Sequence, residues 1–436
     1  MIEPTMWPEL ANLPKIYGTD PNHTVYLGPD VVYRTIRAEG RDSYDRVVQA
    51  QLLARAIEWG LVPTEFVSRN DRGDVLLKHA RVPFVTHPGE WSPSMVREAA
   101  LFILNLSSRL AEHGLMLSDS HLLNVTFRSG KPVYLDFGSI NPIDNTERWI
   151  EKFRARVLVP LWLASHERKE LMSDFLRSEP HGLGVRLAQT GIGRLFPRGM
   201  GKVRSIHSKR GWPAALDELR NVVDALKIKP LQSPRTKYNT RALDEKESKR
   251  KVLLEWAGET KPRSIHELAG NDATIGEMLA RELGVQVLST DFDIASVDVA
   301  HQRTSDTGLP LDVGCMNILF PLPPYGAGSC RPGAVQRLRA DATLATALVH
   351  HLVGRSRTSM SSFIQIIADY TERLSIIEWV DPTDKHVLRW QEKRGIKLQP
   401  DYALENFLAA CRSHFRDVQP LPKYIVETRT LYACSK

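Results

Sequence analysis

Three groups of residues have types and spacing suited to chemistry. Asp119, Asn124 and Asp136 follow a D-x4-N-x11-D spacing, with Phe137 and Gly138 after the last acid. Phosphoryl transfer needs a carboxylate to orient or deprotonate an acceptor hydroxyl, and oxygen ligands to hold magnesium against nucleotide phosphates. Asp119 suits the first task, and Asn124 and Asp136 suit the second. The next group is ELAGNDA, Glu267 to Ala273, followed by TDFD with Asp291 and Asp293. A loop of small residues after one strand lets backbone approach a nucleotide-like cofactor, and an acid ending the next strand can bond its ribose. Glu267, Ala269, Gly270, Asn271 and Asp291 are the candidate contacts. No G-x-G-x-x-G stands here, which favours S-adenosylmethionine (SAM) over a dinucleotide. The last group is His350 and His351 in ALVHHL, with Glu378 in IIEWV. A histidine can take the proton of a methyl acceptor near neutral pH, and Glu378 suits orienting the imidazole or the acceptor. If ALVHHL ends a strand, its histidines point to opposite faces and one of them meets the cleft.

The elements that must position these groups can be read from periodicity. TVYLGPDVVYRTIR predicts strand–turn–strand around Gly28-Pro29-Asp30, and residues 44–59 predict one helix stopped by Gly60. A long helix over 94–113 has Ser92 as N-cap and Pro93 at its first position. Two short strands joined at Ser129-Gly130 follow, then helical text to about residue 226. Pro230 to Asn239, rich in proline and basic residues, predicts a linker. Beyond it, apolar runs alternate with helical text, as a parallel sheet covered on both faces requires. The fold expected is α/β and multidomain: an α+β region over 1–229, a linker over 230–239 and a doubly wound, Rossmann-like domain over 240–436.

Composition narrows the classes. The chain has 436 residues, 42% hydrophobic and 25% charged, enough for two or three cores and not the make-up of a disordered chain. No apolar run approaches the roughly 20 residues of a membrane span, and the first residues, MIEPTMWPEL, lack a secretory leader. Four cysteines without a C-x-x-C pair argue against a zinc ribbon or a disulfide scaffold, and for a reducing, cytoplasmic setting. The net charge of +7 gathers in stretches such as Arg194 to Arg210 and Lys249-Arg250-Lys251. Without a nucleic-acid-binding motif or stacking aromatics these read as solvated linker faces, and a nucleic-acid partner is not expected.

The Asp119–Asp136 segment resembles the catalytic loop and metal-binding element of the protein-kinase-like superfamily, closest to its aminoglycoside-phosphotransferase branch. In such a fold VVYRTIR offers Arg34 or Arg37 where a lysine would pair with ATP, and the following helix offers Glu58 as partner. EWSPSMVREAALFILNLSSRLAEHGLMLSDSHLLNVTFRSGKPVYLDFGSI, WIEKFRARVLVPLWLASH, ATALVHHL, IIEWVDPTD and Asp401-Tyr402, in this order, resemble one family. It comprises bacterial class I SAM-dependent methyltransferases of the nodulation-protein-like group, which carry a kinase-like N-terminal region. The resemblance places the family's D-L-G-x-N-x-G loop on Glu267 to Ala273 and its second-strand acid on Asp291. It implies a methyltransferase for a small-molecule or glycan-like acceptor, with SAM and possible Mg-ATP as cofactors. Two other readings stay open: a phosphotransferase with an accessory second domain, and a non-enzymatic binding or assembly protein. The acceptor and the oligomeric state are not legible.

Overall fold

Alternating β-branched and aromatic residues make the first half of the chain open as a sheet. In the computed structural model, which describes residues 7–16, 21–49, 51–178, 186, 190, 199–232, 243–355, 358–395, 397–422, 424 and 426–436, five antiparallel strands pair in the order β1-β2-β3-β5-β4. They are β1 (Lys15–Ile16), β2 (His23–Leu27), β3 (Val31–Ile36), β4 (Thr64–Arg69) and β5 (Val75–Ala80). The Gly28 N–H donates to the Val31 carbonyl at 2.9 Å and closes the β2–β3 turn.

The single helix expected over 44–59 is two, Asp42–Gln49 and Leu53–Glu58. Gln51 adopts φ +52°, and the Leu52 and Gln51 N–H groups bond the Val47 and Val48 carbonyls. This is a left-handed helix stop of the kind glycine usually makes. A glutamine in that role carries no local signal.

The helix Pro93–Ala111 starts after Ser92 and buries Met95, Val96, Ala99, Ile103, Leu106 and Leu110, a stripe at helical spacing. After it come β6 (Leu115–Leu117), β7 (Val125–Arg128), β8 (Lys131–Tyr134) and β9 (Ile140–Pro142). Ser129 and Gly130, at φ +51° and +72°, form the tight β7–β8 turn. Helices then run through Thr146–Phe153, Val159–Ser165, Lys169–Arg177 and Met200–Ala225.

The second half builds a seven-stranded sheet from β10 (Ser264–Leu268), β11 (Gln286–Asp291), β12 (Leu311–Cys315), β13 (Ala340–Ala345), β14 (Thr371–Val380), β15 (Asp417–Pro420) and β16 (Arg429–Ser435). The order is β12-β11-β10-β13-β14-β16-β15. Strands β10 to β14 are parallel, and β16 enters antiparallel between β14 and β15. The α/β fold class expected for this half is the one observed. The order reverses between β10 and β13, so the connections after these neighbouring strands leave in opposite directions. In a doubly wound sheet that reversal opens the ligand crevice at the strands' carboxyl ends. Helix Leu243–Thr260 covers this sheet, and its Val252, Leu253, Trp256 and Ala257 join Ile265, Leu279, Val287, Leu344 and Leu431 in one core.

The chain divides into two compact units. One holds the residues up to Phe127, Lys131–Pro230 and Leu322–Gly333; the other holds Arg128–Gly130, Leu231–Pro321 and Ala334–Lys436. Most of the expected linker, residues 233–239, lies outside the described residues. Among the described residues no helix is long and apolar enough to cross a membrane.

Leu253 is fully buried beneath this sheet. Leu253→Ala should lower the stability of the C-terminal unit by about 2–5 kcal/mol, the cost of a core cavity, seen as an earlier transition in urea denaturation.

Candidate functional site

In the N-terminal unit, Asp119 follows β6, Asn124 closes the short turn Leu122–Asn124, and Asp136 follows β8. The structure brings the three together. The Asn124 amide nitrogen lies 3.4 Å from Asp136 Oδ2 and 3.3 Å from the Tyr134 hydroxyl, which donates to the Asp119 carbonyl at 3.2 Å. Asp119 is held from two sides that sequence reading missed. Lys152 Nζ donates to Oδ1 at 3.0 Å, and His121 Nε2 stands 3.8 Å from Oδ2. Burial raises the Asp119 pKa, but neighbouring His121, Lys152 and Arg156 together outweigh it and leave the carboxyl below its ordinary range.

Arg34 decides what Asp136 can do. Its guanidinium, buried on β3, donates to Asp136 Oδ1 at 2.8 Å. A cation therefore sits on the carboxylate that would hold magnesium, and Asn124 turns a donor toward the other oxygen. This donor set does not fit a divalent metal, which needs free oxygen ligands. Glu58 is exposed at the end of its helix. The expectation that it pairs with a β3 cation is corrected: Arg34 pairs with Asp136 itself.

In the C-terminal unit, Glu267 lies in β10, Asp291 ends β11, and the loop Ala269–Ala273 leads into helix Thr274–Leu283. Ala269, Asn271 and Ala273 all have left-handed backbone, at φ +57°, +54° and +59°. Glycine takes this region without cost and other residues take it reluctantly. Gly270 is needed for another reason. A Cβ there would collide with the Ser289 hydroxyl and the Glu267 carboxylate packed beneath it. Glu267 is buried; its Oε2 accepts from Ser289 Oγ at 2.7 Å and from the Gly276 N–H at 3.2 Å. Burial pushes its pKa up to about 7, beyond what these bonds restore.

Asp291 grips this loop through backbone. Oδ2 accepts from the Asn271 N–H at 2.9 Å and Oδ1 from the Asp293 N–H at 2.8 Å. Asp293 caps helix Ile294–Thr304 through the Ala295 N–H, which explains the second acid of TDFD. The Asn271 side-chain oxygen is buried without a hydrogen-bond donor, and Phe292 beside Asp291 is 55% exposed.

The histidines require a correction. Strand β13 stops at Ala345, and His350 and His351 stand on a helical turn, His350–Arg355. Strand alternation therefore does not sort them; burial does. His350 is buried and His351 half-buried, with ring centroids 4.2 Å apart. Burial, then the neighbouring His351 and Arg429, holds the His350 pKa well below the ordinary histidine value.

Glu378 is also differently occupied than expected. Fully buried, it accepts from Lys249 Nζ at 2.7 Å, the Ala347 N–H at 2.5 Å and the Tyr424 hydroxyl at 3.0 Å. Arg429, which pairs with Asp384 at 2.9 Å, lies 3.9 Å from its other side. Burial raises the Glu378 pKa, yet Lys249 and Arg429 prevail and keep the carboxyl low. Lys249 belonged to a run read as solvated, but its side chain is 12% exposed and bound inward.

The resemblance read from the sequence holds over most of the chain. Nodulation protein NoeA of Rhizobium meliloti (strain 1021) is 28% identical over 396 residues, covering 82% of this chain and 81% of NoeA. No family model matches. Among solved structures, WbdD bound to the kinase inhibitor LY294002 aligns at 14% identity and TM-score 0.32, covering 45% of this chain and 41% of WbdD. Magnesium protoporphyrin IX methyltransferase (ChlM) from Synechocystis PCC 6803, with bound SAH, aligns at 10% identity and TM-score 0.32, covering 54% of this chain and 99% of ChlM.

Two outcomes follow from the loop. Ala269→Gly relieves a left-handed alanine and should stabilise the fold by about 1 kcal/mol, read by thermal or urea denaturation. The Glu267 carboxyl has a raised pKa in the folded state, from 4.5 to about 7. Its contribution is thus full below the unfolded pKa and is lost as pH rises through that window. Glu267→Gln should flatten the fall of stability with pH across it, measured by urea denaturation over a pH series.

Proposed function

We propose that the C-terminal unit is a SAM-dependent methyltransferase for a small-molecule or glycan-like acceptor, and that the kinase-like N-terminal unit does not transfer phosphoryl groups. One observation carries the first half: the Gly270 loop after β10 and the His350–His351 turn after β13 flank the point where the strand order reverses. Such a point is where a doubly wound sheet binds its ligand.

The residues present fit the cofactor. Gly270 leaves out the side chain that would lift the loop, Asp291 ends β11 beside that loop where a ribose would lie, and Phe292 next to it is 55% exposed. SAM, when bound, supplies an electrophilic methyl carbon on a sulfonium. The chain must then orient the acceptor and remove a proton from its hydroxyl or ammonium. We assign that proton to His351, the half-buried member of the pair. His350, buried and neutral at pH 7, supports the neighbouring ring. The reading places the enzyme in the cytoplasm, where its four free cysteines stay reduced.

For the N-terminal unit, the Arg34–Asp136 ion pair supports a scaffold or binding role. Asp119, Asn124 and Asp136 then hold the loops together, and no step is assigned to them.

Calorimetry should show SAM binding that Asp291→Ala abolishes, and no magnesium-dependent turnover of ATP. His351→Ala should lower methyl transfer to any accepted substrate by roughly 10²–10⁴-fold and leave SAM affinity nearly unchanged. Absence of SAM binding to the intact protein would refute the reading.

A further inference from the structure

The turn after β13 carries an unusual constraint. Ala347 lies in the left-handed region at φ +52°, a conformation its Cβ disfavours. Its N–H donates to Glu378 Oε2 at 2.5 Å, and the same oxygen accepts from Lys249 Nζ at 2.7 Å. The other carboxylate oxygen takes the Tyr424 hydroxyl at 3.0 Å. Glu378 is fully buried, and Lys249 reaches it from helix Leu243–Thr260 with 12% of its side chain exposed. A buried carboxylate with these donors cannot swing to a second partner without stranding a cation. The segment it holds begins three residues before His350, and His351 bonds back into that segment through its N–H to the Leu348 carbonyl at 3.0 Å.

We infer that Lys249 and Glu378 are positioning residues: they pin the strained Ala347 turn and thereby set where His351 stands. Neither touches the acceptor. This revises Glu378 from an orienter of imidazole to an anchor of backbone, and adds Lys249, on an element remote in sequence from the other site residues. The inference rests on the proposed role of His351, but its structural half stands apart from that role.

The test uses the full chain and two readouts. Hydrogen exchange at the Ala347 amide reports the anchor, and methyl-transfer kinetics report its consequence. In Lys249→Gln and Glu378→Gln the amide should exchange about tenfold faster, as loss of a hydrogen bond to a charged group implies. Turnover should fall while the KM for SAM is unchanged, and Lys249→Arg should restore both. Glu378→Gln leaves the Lys249 ammonium without its counter-charge, so circular dichroism must show it folded; Lys249→Gln carries the comparison if it is not. Adding Ala347→Gly to Lys249→Gln should recover turnover, because glycine adopts the turn unaided. Unchanged Ala347 exchange in a folded Lys249→Gln protein overturns the anchor. Faster exchange with unchanged turnover overturns the link to His351. Failure of the wild-type protein to bind SAM defeats the methyltransferase reading alone, since the exchange experiment still decides the anchor.

Discussion

The C-terminal unit is governed by the adjacency of β10 and β13. Their parallel pairing, with Ile265 opposite Ala342 and Glu267 opposite Leu344, fixes two neighbouring strands whose exits diverge. Backbone hydrogen bonding sets that spacing, so the loops after them start side by side whatever their sequences. The residues found in those loops then serve two needs, holding an unfavourable backbone and, in the function proposed above, meeting a ligand. Asp291 and Glu378 meet the first with the same device, a carboxylate accepting a main-chain N–H from a left-handed stretch.

That device explains how the first loop keeps its path with one glycine. Where the related loop pattern has glycine, this chain has Ala269 and Ala273, and both still take positive φ. The conformational cost falls on the loop, and Asp291 together with the packing of Gly270 over Ser289 and Glu267 offsets it. Two alanines thus hold a left-handed backbone that glycine would adopt without cost.

How much of this was legible follows from what each residue type reveals. The strand-and-helix alternation after residue 240, the helix that opens at Pro93 and the Ser129-Gly130 turn all announce themselves by periodicity or by turn chemistry. Gln51 hid a helix break because nothing about glutamine signals a left-handed stop. ALVHHL read as strand since a short apolar run fits a strand or a helical turn equally. Lys249 stood in a basic run, and a charge pattern says nothing of which member turns inward to a buried acid. Partners separated as widely as Lys249 and Glu378, or Arg34 and Asp136, meet only through tertiary structure; no spacing rule links them.

In the N-terminal unit the charges of the Asp119 and Asp136 loops are balanced from within. Arg34 is the more deeply enclosed partner, so taking away Asp136 would strand a guanidinium, whereas exchanging Arg34 alone would leave the carboxylate exposed to whatever cation arrives. The two positions are consequently coupled, and the effect of a change at one depends on which residue stands at the other.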